Sequence, residues 1–180
     1  LKWAGPFLGH EIEKTLDVDA IIEELLTTGI CGVAHGKAEF GPRAFGNRSL
    51  LADPRRPDIK DKVNAIKKRQ KFRPFAPAVL SRFANEYFRL DDITKNAKYM
   101  QYAVPVETDD LPAITHADGT ARVQVVTEEA NTLKQILEAW YARTCCPVLL
   151  NTSLNIKGEP LVNTWDDATR WQDCYKVKVF

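Results

Sequence analysis

Apolar segments typical of buried strands alternate along this chain with amphipathic segments typical of helices. A helix through AIIEELLTTG, capped by Asp17 or Asp19 and ended by Gly29, precedes the apolar segment ICGVAHG. A second helix, NTLKQILEAWYAR, precedes the apolar segment CPVLLN. Strands that alternate with helices in this way predict an α/β fold built on a twisted, mixed, open sheet with flanking helices.

The other segments fit the same pattern. SLLA is typical of a short strand, and a helix is expected from about Pro57 to Arg69. Pro74 and Pro77 exclude a helix in RPFAPAVL and permit an edge or irregular strand. YMQYAVPV and ARVQVV are predicted strands, separated by the turn HADGT.

Length and composition indicate one globular domain. The chain has 180 residues, of which 44% are hydrophobic and 27% charged, enough to bury a core. It contains no apolar run of roughly 18 residues and no signal peptide, so we expect a cytoplasmic protein without a membrane partner. The start at Leu1, without a methionine, predicts a fragment of a longer protein.

Positive charge is concentrated in one segment. Between Lys37 and Arg73 there are twelve Lys or Arg and four acidic residues, whereas the whole chain has a net charge of only +1. Such a segment fits a site for nucleotide and phosphates or for nucleic acid. A solvated helix face is the alternative for part of it, namely Lys60, Lys62, Lys67, Lys68 and Arg69.

The stretch GKAEFGPRAFGNRSLLADPR resembles a phosphate-binding P-loop without being one. Asn47 replaces the P-loop lysine, and Pro42 removes an amide donor. We therefore expect phosphate to be held by the guanidinium groups of Arg43 and Arg48, with Lys37 ahead of them. Arg73, among Phe and Pro, completes the predicted set, and for each arginine a buried salt bridge to an acid such as Glu39 or Asp53 is the alternative.

Two further polar segments are candidates for ligand contact. NTSLN follows a predicted buried strand and offers neutral donors and acceptors, although such residues also cap helices and turns. THADGTARVQ gathers four groups around one turn, where a purely structural histidine is the alternative. The candidates are Asn151, Ser153, Asn155, His116, Asp118, Arg122 and Gln124.

The sequence motifs do not indicate a metal site or a nucleophilic catalytic residue. The four cysteines lack C-x-x-C spacing, and the three histidines lie far from them, so no Cys/His metal site is expected. The chain contains none of G-x-S-x-G, H-E-x-x-H and G-x-G-x-x-G. We therefore expect neither a covalent nucleophile nor a Rossmann dinucleotide site.

Four motifs in order, GxxEFGPRAFGNRSLLADPR, KFRPFAPAVL, HADGTARVQ and NTSLNIKGEPLVNTWDDA, resemble the C-terminal, YrdC-like domain of the O-carbamoyltransferases of nodulation-factor and antibiotic biosynthesis. The resemblance covers about residues 30–168. It implies that residues 1–180 form this domain, which binds carbamoyl phosphate and ATP and makes carbamoyl-adenylate. An N-terminal transferase domain, absent from this chain, would then carbamoylate a small-molecule hydroxyl acceptor bound elsewhere.

The resemblance also implies roles for individual residues. Phosphoryl and nucleotidyl transfer need positioning and charge neutralisation more than a nucleophile, and Mg²⁺ is expected to accompany ATP. The implied catalytic residues are Arg43, Lys67, Arg73 and Ser153. The implied ligand-binding residues are these four with Arg48, Arg122, Asn151 and Asn155, and the further contacts are Lys37, His116, Asp118 and Gln124.

Two departures from the family pattern and two alternatives accompany this interpretation. Gln70 and Lys71 stand where the family often has Glu and Pro, and the tail RWQDCYKVKVF is divergent, which leaves its helix and strand open.

A phosphate-binding regulatory module without catalysis is one alternative. RNA binding is the other, and the arginines alternate with prolines and glycines and not with the exposed aromatics that base stacking needs, which speaks against nucleic acid.

Overall fold

The computed structural model describes residues 5–41, 43–68, 75–92, 97–127 and 131–180. Within these ranges the chain forms nine strands and five α-helices. The strands are β1 (Phe7–Ile12), β2 (Ile30–Ala34), β3 (Gly36–Glu39), β4 (Arg48–Ala52), β5 (Ala76–Leu80), β6 (Ala103–Pro105), β7 (Thr120–Arg122), β8 (Gln124–Val126) and β9 (Val148–Ser153). The helices are α1 (Val18–Thr28), α2 (Ile59–Lys67), α3 (Ala84–Tyr87), α4 (Asn131–Thr144) and α5 (Trp165–Tyr175).

A five-stranded sheet with the order β2-β4-β9-β5-β8 is the centre of the fold. Its neighbouring strands are antiparallel except β5 and β8, which are parallel. β1 pairs with β3 and β6 with β7 in two separate antiparallel ribbons. The predicted mixed α/β sheet with flanking helices is therefore confirmed.

Both faces of the sheet are buried, which explains why its strands are mainly apolar. Successive residues point to opposite faces, so Leu50 packs into one core and Leu51 into the other. Apolar residues of α2 and α5 share the core of Leu50, and those of α1 and α4 share the core of Leu51. Helices thus cover the sheet on both sides.

The predicted boundaries of α1 are confirmed. The Asp17 side chain accepts a hydrogen bond from the Ala20 amide at 3.0 Å, and the helix ends at Gly29 with φ +82°. Of the two elements that the sequence left open in the divergent tail, the helix forms as the end of α5, whereas an isolated bridge takes the place of the strand. Thr164 and Asp167 make a reciprocal capping box at the start of α5, and Val179 bridges to Gly32 beside β2.

Two strand predictions need correction. The arginine-containing loop does not follow β2 directly, because β3 intervenes and pairs with β1 outside the main sheet. β5 is an inner strand rather than an edge strand, although it contains Pro77. Its partner β8 pairs only with Ala78, Val79 and Leu80, so at Pro77 the strand has a neighbour on one side alone.

The segment ARVQVV forms two short strands instead of one. β7 pairs with β6 in a ribbon, and β8 pairs with β5 in the main sheet. Val123 lies between them and is fully buried. The change of sheet moves Arg122 and Gln124 into different surroundings, although they lie only two residues apart.

None of the helices in the described ranges is long and apolar enough to span a bilayer. All four cysteines are free thiols, and Cys31 and Cys146 are buried, whereas Cys145 and Cys174 are exposed. Burial raises the pKa of the Cys146 thiol.

The loop that precedes β4 packs closely against α4. Gly46 has φ +113°, and a Cβ at this position would lie 2.6 Å from the Cβ of Leu133 and 3.0 Å from its backbone nitrogen. Gly46 therefore allows close approach of the loop to a helix. Gly41 has a similar φ of +109° and no atom within 4 Å of its would-be Cβ.

Gly46→Ala is therefore expected to lower the free energy of unfolding by about 2 to 3 kcal/mol, since it adds a clash with a helix backbone to the strain of positive φ. Gly41→Ala carries only the backbone strain and should cost about 1 kcal/mol. Denaturant titration of both variants measures the difference. Equal losses would contradict the packing of this loop on α4.

Candidate active site

Backbone amides of the arginine-containing loop are occupied by groups of the protein itself. The Glu39 carboxylate oxygen Oε1 accepts hydrogen bonds from the amides of residues 45, 47 and 48, at 2.7, 2.9 and 3.3 Å. The amide of Gly46 donates to the Ser49 hydroxyl at 3.0 Å. This buried carboxylate fills the position that an external anion would take in a P-loop, so ligand phosphate needs other donors.

Arg48 does not present its side chain to a ligand. It is fully buried, and its two terminal nitrogens donate to five backbone carbonyls at 2.8 to 3.2 Å. The acceptors are the carbonyl oxygens of His10, His35, Gly36, Asn47 and Asn163. The expectation that Arg48 binds phosphate is therefore corrected, because its donors hold together segments of the fold.

Arg43 and Arg122 are brought together from distant parts of the chain. Arg43 is exposed, and Arg122 on β7 is half-buried. Burial lowers the pKa of Arg122, and the nearby positive charge of Arg43 lowers it further. Among the described residues neither guanidinium has a hydrogen-bonded or ion-paired acid. Two neighbouring cations without counter-charge are suited to hold an anion.

Lys67, Ser153 and Asn155 form a second cluster. Lys67 is buried at the end of α2, and its ammonium group donates to the Ser153 carbonyl at 2.8 Å and to the Ser153 hydroxyl at 3.1 Å. It also donates to the Asn155 side-chain oxygen. The Ser153 hydroxyl donates to the same oxygen at 2.8 Å. A buried cation is thus held by neutral oxygen atoms at the carboxyl end of β9.

Asn151 connects the two clusters from beneath. Its amide nitrogen donates to the Ala44 carbonyl at 3.1 Å and to the Gln124 side-chain oxygen at 2.8 Å. Asn151 and Gln124 are only 1% and 3% exposed, so they support the site instead of lining it. Ala44 follows Arg43, and Gln124 lies two residues after Arg122. The bonds of Asn151 therefore connect β9, which carries Ser153, to the two segments that carry Arg43 and Arg122.

The remaining predicted residues fall into three groups. His116 and Asp118 lie on one turn with Thr120, beside Arg122 and Lys60. Lys37 is half-exposed and lies 3.9 Å from Glu11 on the β1–β3 ribbon, so it faces an acid of its own ribbon. Arg73 lies outside the described residues.

Sequence reasoning missed several residues that shape the site. Lys60 was grouped with the solvated helix lysines, yet its charge lowers the pKa of His116. Glu39 was considered only as a salt-bridge partner for arginine, whereas it binds the loop amides. Thr120 was not considered at all. Residue type alone could not find them, because each acts through a contact across a turn or between elements.

The described chain also contains a cleft of about 580 Å³ at the opposite end of the sheet. It is lined by residues that include Arg55, Tyr87, Cys145 and Cys146, and by none of the predicted site residues. Arg55 is already paired with Asp53 at 2.8 Å. The cleft is therefore separate from the cationic clusters that contain the predicted residues.

Protein ligands for a metal ion are not found in the described ranges, where no three His, Cys, Asp or Glu side chains come together. Asp118, the acid on the His116 turn, is exposed and accepts hydrogen bonds from Thr120. These residues do not fit a protein-held magnesium ion. Any Mg²⁺ is expected to be bound by ligand phosphates and water.

Comparison with known families finds one that matches most of the chain. The family model described as "Carbamoyltransferase C-terminus" matches residues 22–180. NolNO, a nodulation protein of Sinorhizobium fredii, is 45% identical over 174 residues, which are 93% of this chain and 25% of that protein. A 3'-hydroxymethylcephem-O-carbamoyltransferase of Amycolatopsis lactamdurans is 37% identical, over 86% of this chain and 29% of that enzyme.

Solved structures show the same fold at low sequence identity. Full-length HypF in its phosphate- and nucleotide-bound form superimposes with a TM-score of 0.67 at 14% identity, over 92% of this chain and 25% of that one. HypF of T. kodakarensis gives a TM-score of 0.61, also at 14% identity, over 96% of this chain and 21% of that one. The likeness confirms the YrdC-like fold that the resemblance implied.

Proposed function

Because the chain belongs to the carbamoyltransferase C-terminal family, we propose that it makes the carbamoyl-adenylate used by an O-carbamoyltransferase. Carbamoyl phosphate and ATP are the proposed substrates. The chain spans about a quarter of NolNO and 29% of the cephem enzyme. We therefore propose that an N-terminal transferase domain binds the hydroxyl acceptor and completes the reaction. Dependence on ATP would place that reaction in the cytoplasm.

One observation carries the proposal. Arg43 and Arg122, which have no acidic partner among the described residues, lie close to each other, and Lys67 is held by Ser153 and Asn155. Asn151, on the same strand as Ser153, is hydrogen-bonded to the residue after Arg43 and to Gln124, two residues after Arg122. Phosphate groups need this combination of fixed positive charge and neutral donors. A nucleophilic side chain is not required, since phosphoryl and nucleotidyl transfer depend mainly on positioning.

The proposed reaction has two balanced steps. Water attacks the carbonyl carbon of carbamoyl phosphate, the bond from this carbon to the bridging oxygen breaks, and phosphate and carbamate leave with one proton released. A carbamate oxygen then attacks the α-phosphorus of ATP and displaces pyrophosphate. The products are carbamoyl-adenylate and pyrophosphate.

The site residues divide this work by their position. We propose that Arg43 and Arg122 bind the phosphoryl oxygens of carbamoyl phosphate. These oxygens already carry negative charge before the first bond breaks. Lys67 would stabilise the negative charge that develops during attack on the α-phosphorus, while Ser153 and Asn155 orient its ammonium group. Arg73 keeps its proposed catalytic role. Carbamate decomposes in water, so closure around these groups would protect it.

Ligand titration and product analysis test the proposal together. We would titrate the chain with carbamoyl phosphate and an ATP analogue by calorimetry, and follow pyrophosphate release from ATP in the longer protein. Release should require carbamoyl phosphate. Binding of both ligands without any release would support the regulatory-module alternative, and absence of binding would reject both functions.

Arg122→Met should weaken carbamoyl phosphate binding by about 10-fold to 100-fold, since charge-assisted hydrogen bonds are lost from a half-buried site. Arg143→Met is the matched control. Arg143 is exposed near the end of α4 and paired with Glu23 at 2.8 Å, so its removal should leave affinity unchanged. Equal affinities of the two variants would count against a phosphate site at Arg122.

A further inference from the structure

The turn from His116 to Thr120 holds the histidine ring in one orientation. The His116 amide donates to the Thr120 carbonyl at 2.8 Å, and the Gly119 amide donates to the His116 carbonyl at 3.0 Å. The carboxylate of Asp118 accepts from the Thr120 amide at 3.0 Å and from its hydroxyl at 2.7 Å. The Thr120 hydroxyl oxygen lies 3.1 Å from Nδ1 of His116.

These contacts determine which ring nitrogen carries the proton. The single hydroxyl proton of Thr120 is donated to Asp118, which as a carboxylate can only accept. The hydroxyl oxygen can therefore only accept from His116, so Nδ1 carries the hydrogen. Burial lowers the pKa of His116, and the positive charges of Arg122 and Lys60 lower it further. The negative charge of Asp118 raises the pKa, but less than burial lowers it. The neutral ring then has an unprotonated Nε2.

The Nε2 atom is a buried acceptor without a partner among the described residues. Buried polar atoms in folded proteins are nearly always hydrogen-bonded, so such an atom calls for an explanation. The charged groups near His116 are the carboxylate of Asp118 and the cations Arg122 and Lys60, and Arg43 lies beside Arg122. Phosphate oxygens attracted by these cations are themselves acceptors and cannot bind Nε2. Among the groups of a bound phosphate ester or anhydride, only an N–H or O–H can donate to it.

We propose that Nε2 of His116 accepts a hydrogen bond from the amino group of carbamoyl phosphate and thereby selects a carbamoyl over an acyl group. This inference rests on the proposed function. Carbamoyl phosphate has no other donor when its phosphate is ionised. Acetyl phosphate has nearly the same shape but carries a methyl group in place of the amino group, and so leaves the acceptor unpaired.

The position of the cations favours this amino group over the donors of ATP. In carbamoyl phosphate the amino nitrogen is separated from the phosphorus by only one carbon and one oxygen. The adenine amino group lies at the far end of ATP from its triphosphate. Nε2 has no exposed surface in the structure. The proposal therefore includes a local movement of the residues around the turn that exposes Nε2 when ligand binds.

Competition between the two phosphates tests the inference. For wild type and two variants, we would compare the affinities for carbamoyl phosphate and acetyl phosphate by calorimetry. His116→Phe keeps the ring shape without an acceptor and should reduce the preference for carbamoyl phosphate by about tenfold or more. His116→Gln supplies an oxygen near the position of Nε2 and should keep most of the preference. His10→Phe, at an exposed histidine on β1, is the control.

A pH series separates a direct contact from a structural role. Protonation turns Nε2 from an acceptor into a donor, so the wild-type preference should disappear as pH falls through the pKa of His116, which burial holds below its usual range. The ionisation of phosphate affects both ligands alike and cancels in the ratio. His116→Gln should show no such pH dependence.

Each outcome has a definite meaning. Retention of the full preference by His116→Phe overturns the inference and leaves the proposed function intact. Loss of affinity for the ATP analogue alone would assign Nε2 to the nucleotide and also overturn it. If wild type binds neither phosphate, the inference and the proposed function fail together.

Discussion

Replacing Lys67 by methionine is expected to reduce carbamoyl phosphate-dependent pyrophosphate release by a factor on the order of 10² to 10³. Lys67 is the buried cation of the site, and its ammonium group is aimed by the Ser153 carbonyl and hydroxyl and by Asn155. Methionine has a similar length and lacks the charge. Its effect should therefore fall on the rate of the chemical step more than on substrate affinity.

Lys62→Met is the matched control on the same helix. Lys62 is exposed and forms an ion pair with Asp58 at 2.9 Å, so its removal should leave the rate within about twofold of wild type. Both variants would be checked for an unchanged melting temperature. Wild-type activity in Lys67→Met would remove Lys67 from the proposed mechanism.

Arg48→Met should lower the free energy of unfolding by on the order of 3 to 5 kcal/mol, which is the range for breaking a buried charged network. The substitution leaves carbonyls of β1, of the β2–β3 turn and of the segment before α5 without their donor. Because domains of ordinary stability have about 5 to 15 kcal/mol in total, the variant should be close to unfolding. Denaturant titration measures the loss.

Arg48→Lys should recover little of this stability, since an ammonium group has three donors and no planar fork to reach five carbonyls. Arg43→Met is the control on the same loop and should unfold at the wild-type midpoint, because Arg43 is exposed. The pair also separates stability from binding. A stable Arg48→Met variant with weakened phosphate binding would restore the role that the sequence suggested for Arg48.

Much of the secondary structure could be predicted because its signals are local. Asp17 and Gly29 bound α1, and the apolar segments after Ser49 and before Ser153 form strands, as their residue types indicate. The predictions were wrong where strand pairing determines the structure. β5 became an inner strand despite Pro77, and the segment after Gly119 divided between two sheets around Val123.

The loop from Arg43 to Arg48 shows what could not be predicted from the sequence. Composition and motif order predicted a cationic, glycine-bent loop and the resemblance that places it in a carbamoyltransferase. The sequence could not distinguish the two arginines, since both stand among glycine and phenylalanine within six residues. The tertiary structure distinguishes them, because carbonyls 38 and 115 residues away, at His10 and Asn163, converge on Arg48 and none does on Arg43 among the described residues. A guanidinium is available to a ligand only where the fold leaves its donors unused, and that depends on backbone atoms brought close by the packing of distant segments.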